Sequence, residues 1–529
     1  MISPSSLVGA QGAETPGDPR GGLFKGSAGG SRKDTKDIAK GALINFFGAL
    51  LQGMNLIFYF FLGRIYGPAE TGLFLLSRAS LDILSKMGIL GLDRAMLSLG
   101  ARKTAEQDEE GFYRILGQAF FLGLMSCTVL TLCLRGAFAL GISLKPETVK
   151  PIGIMAWGIF FWLLSSLFLF ATRTLRVMHY EVICKSIVEP SVLLVSSLLF
   201  YRFFPGIEGL AYAFLFSTAA GAGVALYLFS RVLSLRKLFH GAFQRSGRGR
   251  LFRFAFPIGL YDMLNMLLQR IDMMMVGRFL SASAVGIYGL AEEASFVLKK
   301  VRQSFDPIFI PVISVAQQTG DRRSLSTQYR NVTRWILLLD LGLLGIFILI
   351  SRTIMGLFGP LFVPGAAVLG WISLSVVINT TLGVSELFIL IERPTINLMN
   401  TVGTIVLNVL LNLWLIPRYG LVGAALSIVL SYGVMNTVRV VQVGAIFRLV
   451  PFTLYHLKIF LSFLVALAAG ALFRSFAVSL LPTVLREISA AALFLFLYNL
   501  FMGVAGLAPE EKALVRKIFP IFFNSPREE

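Results

Sequence analysis

The sequence has little charge, little cysteine and almost no histidine, and each shortage excludes a class of protein. Aspartate, glutamate, lysine and arginine supply 15% of the 529 residues against 56% hydrophobic, and the mean hydropathy is +0.75. A chain with so few charges cannot clothe one aqueous core, so its solvent is a bilayer. The three cysteines, Cys127, Cys133 and Cys184, form no disulfide or metal-binding pattern. His179, His240 and His456 are scattered among expected loops and read as solvated surface side chains, so neither a metal nor another cofactor is expected. Strand-like alternation is missing as well, and helices satisfy their own backbone hydrogen bonds in lipid. The fold class is therefore all-α and polytopic. Residues 1–37 are rich in Gly and Ser, lack the apolar core of a cleavable signal, and read as a disordered cytoplasmic tail.

What is present is hydrophobicity in repeated blocks. Apolar stretches of about 20 residues, enough to cross ~30 Å of hydrocarbon, recur between short polar or basic breaks. About fourteen spans are expected, starting near Ile38, Gly72, Phe112, Pro151, Lys185, Gly206, Leu251, Ala284, Val332, Gly365, Thr395, Gly420, Leu454 and Ile488. Basic residues gather on alternate breaks, thirty-one on the side that holds both termini and ten on the other. That asymmetry places both termini in the cytoplasm. The net charge of +19 is then a topology signal. The dense basic run from Arg231 to Arg253 reads as a linker, and no nucleic-acid partner is expected because it carries no recognisable nucleic-acid-binding fold.

A repeat runs through these blocks at an offset of 214 residues. Gly63, Arg64 and Gly72 return as Gly277, Arg278 and Gly286, Lys86 returns as Lys300, and Gly206, Gly209 and Ala211 return as Gly420, Gly423 and Ala425. Each unit then holds six spans, and an even number preserves direction across the membrane. The halves are parallel repeats about an axis along the membrane normal, which in transporters puts the substrate path between them. The repeated glycines read as tight turns and close helix contacts. The expected organisation is an N-lobe at 38–231, a basic linker at 232–250, a C-lobe at 251–450, a terminal helix pair at 451–508 and a cytoplasmic tail at 509–529.

Particular residues carry a family likeness. The first half shows Gly41, Asn45, Gly48, Gly63-Arg64, Gly67-Pro68 and Gly91-Leu92-Asp93-Arg94. The second shows Phe254-Ala255-Phe256-Pro257, Asp272, Gly286-Ile287-Tyr288, the asparagines Asn397, Asn400, Asn408 and Asn412, and the run from Pro417 to Ala425. In order and spacing these resemble the polysaccharide transporter (O-antigen/oligosaccharide flippase) family of the multidrug/oligosaccharidyl-lipid/polysaccharide exporter (MATE-like) superfamily, over roughly residues 38 to 450. The resemblance implies two six-helix lobes in a V, moving undecaprenyl-pyrophosphate-linked oligosaccharide outward across a bacterial inner membrane by alternating access. The implied partners are membrane lipids and that substrate, with a polysaccharide polymerase and glycosyltransferases beyond them, and no enzymatic activity. The terminal pair is similar to that of lipid II flippases, where such helices shape a groove for the lipid tail; padding of the C-lobe is the alternative.

Charges deep in a span cost at least ~2.5–3.5 kcal/mol on insertion scales, so they are functional candidates. Span 2 carries Arg78, Asp82 and Lys86 on one stripe, and span 8 carries Glu292, Ser295, Lys299, Arg302 and Asp306 on another, with Glu293 and Lys300 beside it. These stripes are expected to face one lumen; ion pairs closed within each helix, Arg78 with Asp82 and Arg302 with Asp306, are the competing reading. Arg78, Lys86, Lys299, Lys300 and Arg302, with Arg270 in reserve, are the candidates for a substrate phosphate. Asp82, Asp262, Glu292, Glu293 and Asp340 are the candidates for coupling to H⁺ or Na⁺. Asp262 and Asp340 lead, having no adjacent base, with a packed protonated carboxyl as the alternative. An ion-coupled multidrug antiporter and a non-transporting envelope-assembly scaffold are the rival functions.

Overall fold

The apolar runs resolve as helices. The computed structural model describes residues 53–139, 146–175, 177–244, 246–319, 322–479 and 481–505, and no strand occurs among them. The expected tails at 1–37 and 509–529, and the start of span 1 at Ile38, lie outside the described residues. In the first half, α1 (Gly53–Ile89), α2 (Leu92–Ala105) and α3 (Glu109–Ala139) are followed by α4 (Pro146–Met155) and α5 (Trp157–Thr174). Then α6 (His179–Val182) runs through a π turn, Ile183–Val188, into α7 (Glu189–Phe203), and α8 (Ile207–Val232) leads to the linker helix α9 (Leu235–Phe243). The second half holds α10 (Arg248–Phe279), α11 (Ala282–Thr319), α12 (Arg322–Leu349), the short α13 (Ser351–Phe358), α14 (Ala366–Leu382), α15 (Val384–Glu392) and α16 (Pro394–Phe447). The terminal pair is α17 (Leu454–Phe476) and α18 (Thr483–Ala505), packed on each other and on α12.

Two of these helices are hairpins. In α1 the backbone leaves helical geometry at Gly67 (φ 72°), just before Pro68, and Phe58 meets Phe74 at 5.8 Å, which a straight helix would separate by about 24 Å. In α16 the break is Gly420 (φ 58°), and Asn400 and Gln442 exchange hydrogen bonds of 2.7 and 3.0 Å between the antiparallel arms. Gly206, the repeat partner of Gly420, also takes positive φ (92°). A side chain is strained in that region, which explains why the turn keeps glycine in both halves.

Ten described segments are long and apolar enough to cross a bilayer, one of them the whole α16 hairpin, and the protein is a multi-pass membrane protein. α11 is not among the ten because its polar stripe dilutes the hydropathy. The turn after α2 lies outside the membrane, and hydrogen bonds from Lys103 and Arg102 there hold the Glu106 carboxyl below its ordinary range.

The halves meet along α1, which packs against both α11 and α10. Near one end of the interface the repeat partners Gly72 and Gly286 touch. A Cβ on Gly72 would overlap the Ala282 carbonyl and lie 2.7 Å from Gly286 N, and one on Gly286 would overlap the Pro68 carbonyl. Near the other end Gly91 (φ 73°) lies against α10, where a Cβ would sit 2.5 Å from Ala255 O and overlap Gly259 N. Residues 72 to 91 span about 28 Å at 1.5 Å per residue. Two glycine contacts therefore bracket a stretch as long as the hydrocarbon is thick, and the polar stripe of α1 lies between them.

Candidate functional site

Between the glycine contacts, charged side chains from both halves converge. Arg270 of α10 places Nη2 3.0 Å from Asp82 Oδ2 on α1 and Nη1 3.8 Å from Glu293 Oε1 on α11, tying three helices together. The pairing of Arg78 with Asp82 suggested by their spacing is not formed among the described residues. The fork of Arg270 reaches Asp82 from the facing half instead. Arg78 is partly buried and has no carboxylate within 4 Å among the described residues, and Glu292 and Glu293 are partly buried on α11. The stripes of spans 2 and 8 are thus turned toward each other, with α10 as a third wall.

A second polar region lies wholly within the second half. A cavity of ≈ 250 Å³ is lined by Gln269, Lys299, Arg302, Asp306, Glu386 and Arg439 among others. Arg302 pairs with Asp306 at 3.5 Å, as the i, i+4 spacing suggests, and with Glu386 at 3.8 Å, and it donates to the Asn379 carbonyl at 3.3 Å. Glu386 also meets Arg439 at 3.4 Å, and Arg439 donates to Asn436 Oδ1 at 3.1 Å. Lys299 has no carboxylate within 4 Å among the described residues and lies 5.5 Å above the Phe296 ring. Lys300 donates to Gln303 at 3.1 Å.

The third cluster sits where Gly91 meets α10. Lys86 pairs with the buried Asp93 at 3.7 Å and lies 5.5 Å over the Trp162 ring. Lys86 is therefore engaged within the first half, apart from Lys299 and Arg302. Arg94 Nη2 stands 3.0 Å from Asp262 Oδ1. This corrects the expectation that Asp262 has no adjacent base: its partner comes from α2, more than 160 residues away in sequence, where spacing along one helix gives no sign of it.

Three other carboxylates, Asp272, Asp340 and Glu487, are buried without a base within 4 Å among the described residues. Asp272 Oδ1 accepts from Asn408 at 3.0 Å and from Asn412 at 2.7 Å, while Asp272 Oδ2 and Asn412 Oδ1 are buried without a hydrogen bond among the described residues. Asp340 is fully buried and accepts from Thr380. No group of three or more His, Cys, Asp or Glu able to hold a metal ion occurs among the described residues. His456 departs from its expected place at the surface. It is buried at the first turn of α17 in a capping box with Thr453, which the Thr453-x-x-His456 spacing could have shown. Arg439 and Glu386 were also missed as site residues: Arg439 lies about 28 Å beyond the Gly420 turn and reads from sequence as a loop base, yet it is 5% exposed.

A sequence profile described as "Polysaccharide biosynthesis protein" matches residues 38–317, more than half of the chain. The chain belongs to that family. A curated relative, the probable low-salt glycan biosynthesis flippase Agl15 of Haloferax volcanii, is 30% identical over 176 residues, 32% of this chain and 36% of its own length. The chain thus matches little more than a third of that relative. Among solved structures, the lipid II flippase MurJ in an inward closed conformation superposes with a TM-score of 0.72 at 13% identity, covering 91% of this chain and 100% of MurJ. An inward-facing multidrug resistance MATE family transporter of the MOP superfamily gives 0.64 at 15% identity, covering 76% and 97%. The fold of this polysaccharide biosynthesis family member is thus the one those transporters share.

Within that fold the chemistry on offer is binding and exchange of ionic partners. Asp82 and Arg270 belong to opposite halves, so their ion pair holds only while the halves are together. Separation of the halves would part Arg270, which keeps Glu293 in its own half, from Asp82 and Arg78 on α1. Arg270 would then keep only the longer contact to Glu293, and the donors freed from Asp82 could take an anion.

Proposed function

We propose that this protein is a flippase that carries polyprenyl-(pyro)phosphate-linked oligosaccharide from the cytoplasmic to the outer leaflet of the cytoplasmic membrane, for surface polysaccharide synthesis. The observation that carries the reading is the Asp82–Arg270 pair, placed between the two glycine contacts on helices of opposite halves. In the closed molecule Asp82 occupies the fork of Arg270; in the open one the lipid phosphate takes its place, and Arg78, which stays with Asp82 on α1, is a second donor from the facing half. Both termini are assigned to the cytoplasm from the distribution of basic residues, which makes the Gly91 end cytoplasmic and the Gly72 end outer. An anion carried outward gains ~2.3 kcal/mol per charge per 100 mV to the extent that its charge crosses the field, so the potential supplies a driving force. Asp272 and Asp340, buried and without a base within 4 Å among the described residues, are our candidates for taking up H⁺ or Na⁺.

The test is transport of a fluorescent polyprenyl-pyrophosphate oligosaccharide in proteoliposomes. Arg270→Gln and Arg78→Gln are each expected to lower the rate about 10- to 100-fold, since each removes a charged donor from the anion. Retained transport in the double variant overturns the phosphate assignment. Wild-type protein that moves no lipid-linked saccharide but exports cationic drugs makes it an antiporter of the rival kind.

A further inference from the structure

The cavity of the second half stands apart from the interlobe charges and has its own unused chemistry. Three bases, Lys299, Arg302 and Arg439, face two acids, Asp306 and Glu386. Glu386 is shared between both guanidinium groups, and Asp306 is held by Arg302, so Lys299 is left without an acid among the described residues. Arg439 is more than nine-tenths buried, and its Nε has no acceptor among the described residues. A buried guanidinium donor without a partner costs free energy, and a lining with one surplus positive charge asks for one negative ligand group. Planar carboxylate matches the arginine fork.

Amides surround this charged core. Gln269 and Asn379 line the same cavity and supply donors and acceptors at fixed positions, the mixture that sugar hydroxyls require. At ≈ 250 Å³ the space falls below the ~300–1,000 Å³ of pockets for drug-sized ligands, so it fits one ring and not a chain of them. Its place relative to the phosphate donors follows from the chain: Gln269 in the cavity immediately precedes Arg270 between the lobes. The two residues are neighbours on one turn of α10 and point to different sides of it, Arg270 to the seam between the halves and Gln269 to the cavity.

We infer that the cavity bounded by Lys299, Arg302, Glu386 and Arg439 is a binding site for a carboxylate-bearing sugar, a uronic acid residue of the transported glycan. The inference rests on the flippase reading for its role in transport, but the cavity's ligand chemistry is tested without it. Free D-glucuronate and D-glucose are titrated onto the purified full-length protein and followed by ligand-observed NMR. Saturable glucuronate binding is expected, with glucose at least about tenfold weaker, and Lys299→Gln lowers glucuronate affinity by about tenfold. Lys299 has no ion-pair partner to strand among the described residues, so this variant is expected to keep the fold; Arg439→Gln is the second variant, checked by its melting temperature. Transport of two lipid-linked saccharides that differ only in a terminal glucuronate or glucose forms the other arm, and the acidic-to-neutral ratio is expected to drop at least about tenfold in Lys299→Gln. Glucuronate binding that is absent, or unchanged in both variants, overturns the cavity assignment even if both lipids are transported. If neither lipid moves while glucuronate binding is present and lost in Lys299→Gln, the flippase reading falls and the cavity assignment stands.

Discussion

Asp272 in the second half stands where the offset of 214 puts Phe58 in the first, Lys299 answers to Ser85, Arg302 to Gly88 and Arg439 to Ala225. Around Asp272 the amides of Asn408 and Asn412 donate hydrogen bonds, and at the same offset the first half has Leu194 and Leu198. Phe58 is 1% exposed and packs edge-on against Phe74, and Ala225 is equally buried. One helical plan thus encloses two different interiors at these positions. At these positions the first half is packed with apolar side chains, and the second has a polar network and a cavity. The difference teaches that one repeated frame supports two interiors, a packed one around Phe58 and a polar one around Asp272, with Arg78 and Asp82 at the seam between them.

The most severe way to break this contrast is to write the second half's chemistry into the first. Phe58→Asp buries a carboxylate where no amide waits, and an uncompensated buried charge costs about 3–5 kcal/mol or neutralises at similar expense. Folded, monodisperse protein is expected to fall below detection on size-exclusion chromatography. Asp272→Asn keeps shape and hydrogen-bonding capacity and is expected to keep the yield. Equal yields of both variants would mean that the interior around Phe58 is hydrated and the halves are not so unlike.

A smaller effect is expected from the seam between them. Gly72→Val drives a branched side chain into the Ala282 carbonyl and Gly286, and backbone that must separate cannot be accommodated by rotamer changes. Transport is expected to fall about tenfold, because the outer contact no longer closes, while each half keeps its own core. The check is labelling of a single cysteine at Ser77, buried just beyond the contact, in a background without Cys127, Cys133 and Cys184. Outside labelling should become fast. Slow labelling together with normal transport would show that valine is accommodated here and that the Gly72 contact still closes.

Much of this was legible in the residues. Span lengths follow from hydropathy, and the glycine pairs of the repeat mark both turns that need positive φ and the contact between Gly72 and Gly286. The inward direction of the span 2 and span 8 stripes follows from the cost of charge in lipid. Partner choice was not legible. Arg270 reaches Asp82, Arg94 reaches Asp262, and Glu386 gathers Arg302 and Arg439, each across gaps of 50 to nearly 190 residues that only the packing of helices closes. Periodicity along one helix can report Arg302 with Asp306, four residues apart, and nothing further. Arg439 was hidden for another reason: depth along a hairpin is measured from its turn, and a base near the far end of its arm looks in sequence like the start of a loop.

The slightest of the expected effects separates the two ends of the seam. The Gly72 contact is backbone on backbone, whereas the Gly91 contact is flanked by Arg94 and Asp262, one from each half. Arg94 is 56% exposed, so screening limits what its pair contributes to about 1 kcal/mol or less. Arg94→Gln is expected to raise cytoplasmic-side labelling of a cysteine at Ser85 by about two- to fivefold, a shift of that size in the population open to the cytoplasm. Asp262→Asn removes the same pair from the other half and should give a similar rise, and the double variant no more than either single one, since a shared interaction is lost once. High salt should reproduce part of the effect in the wild type and none of it in the variants. Unchanged labelling in all three variants would mean that Gly91 and Gly259 hold the cytoplasmic end by packing alone, and that both ends of the seam work in the same way.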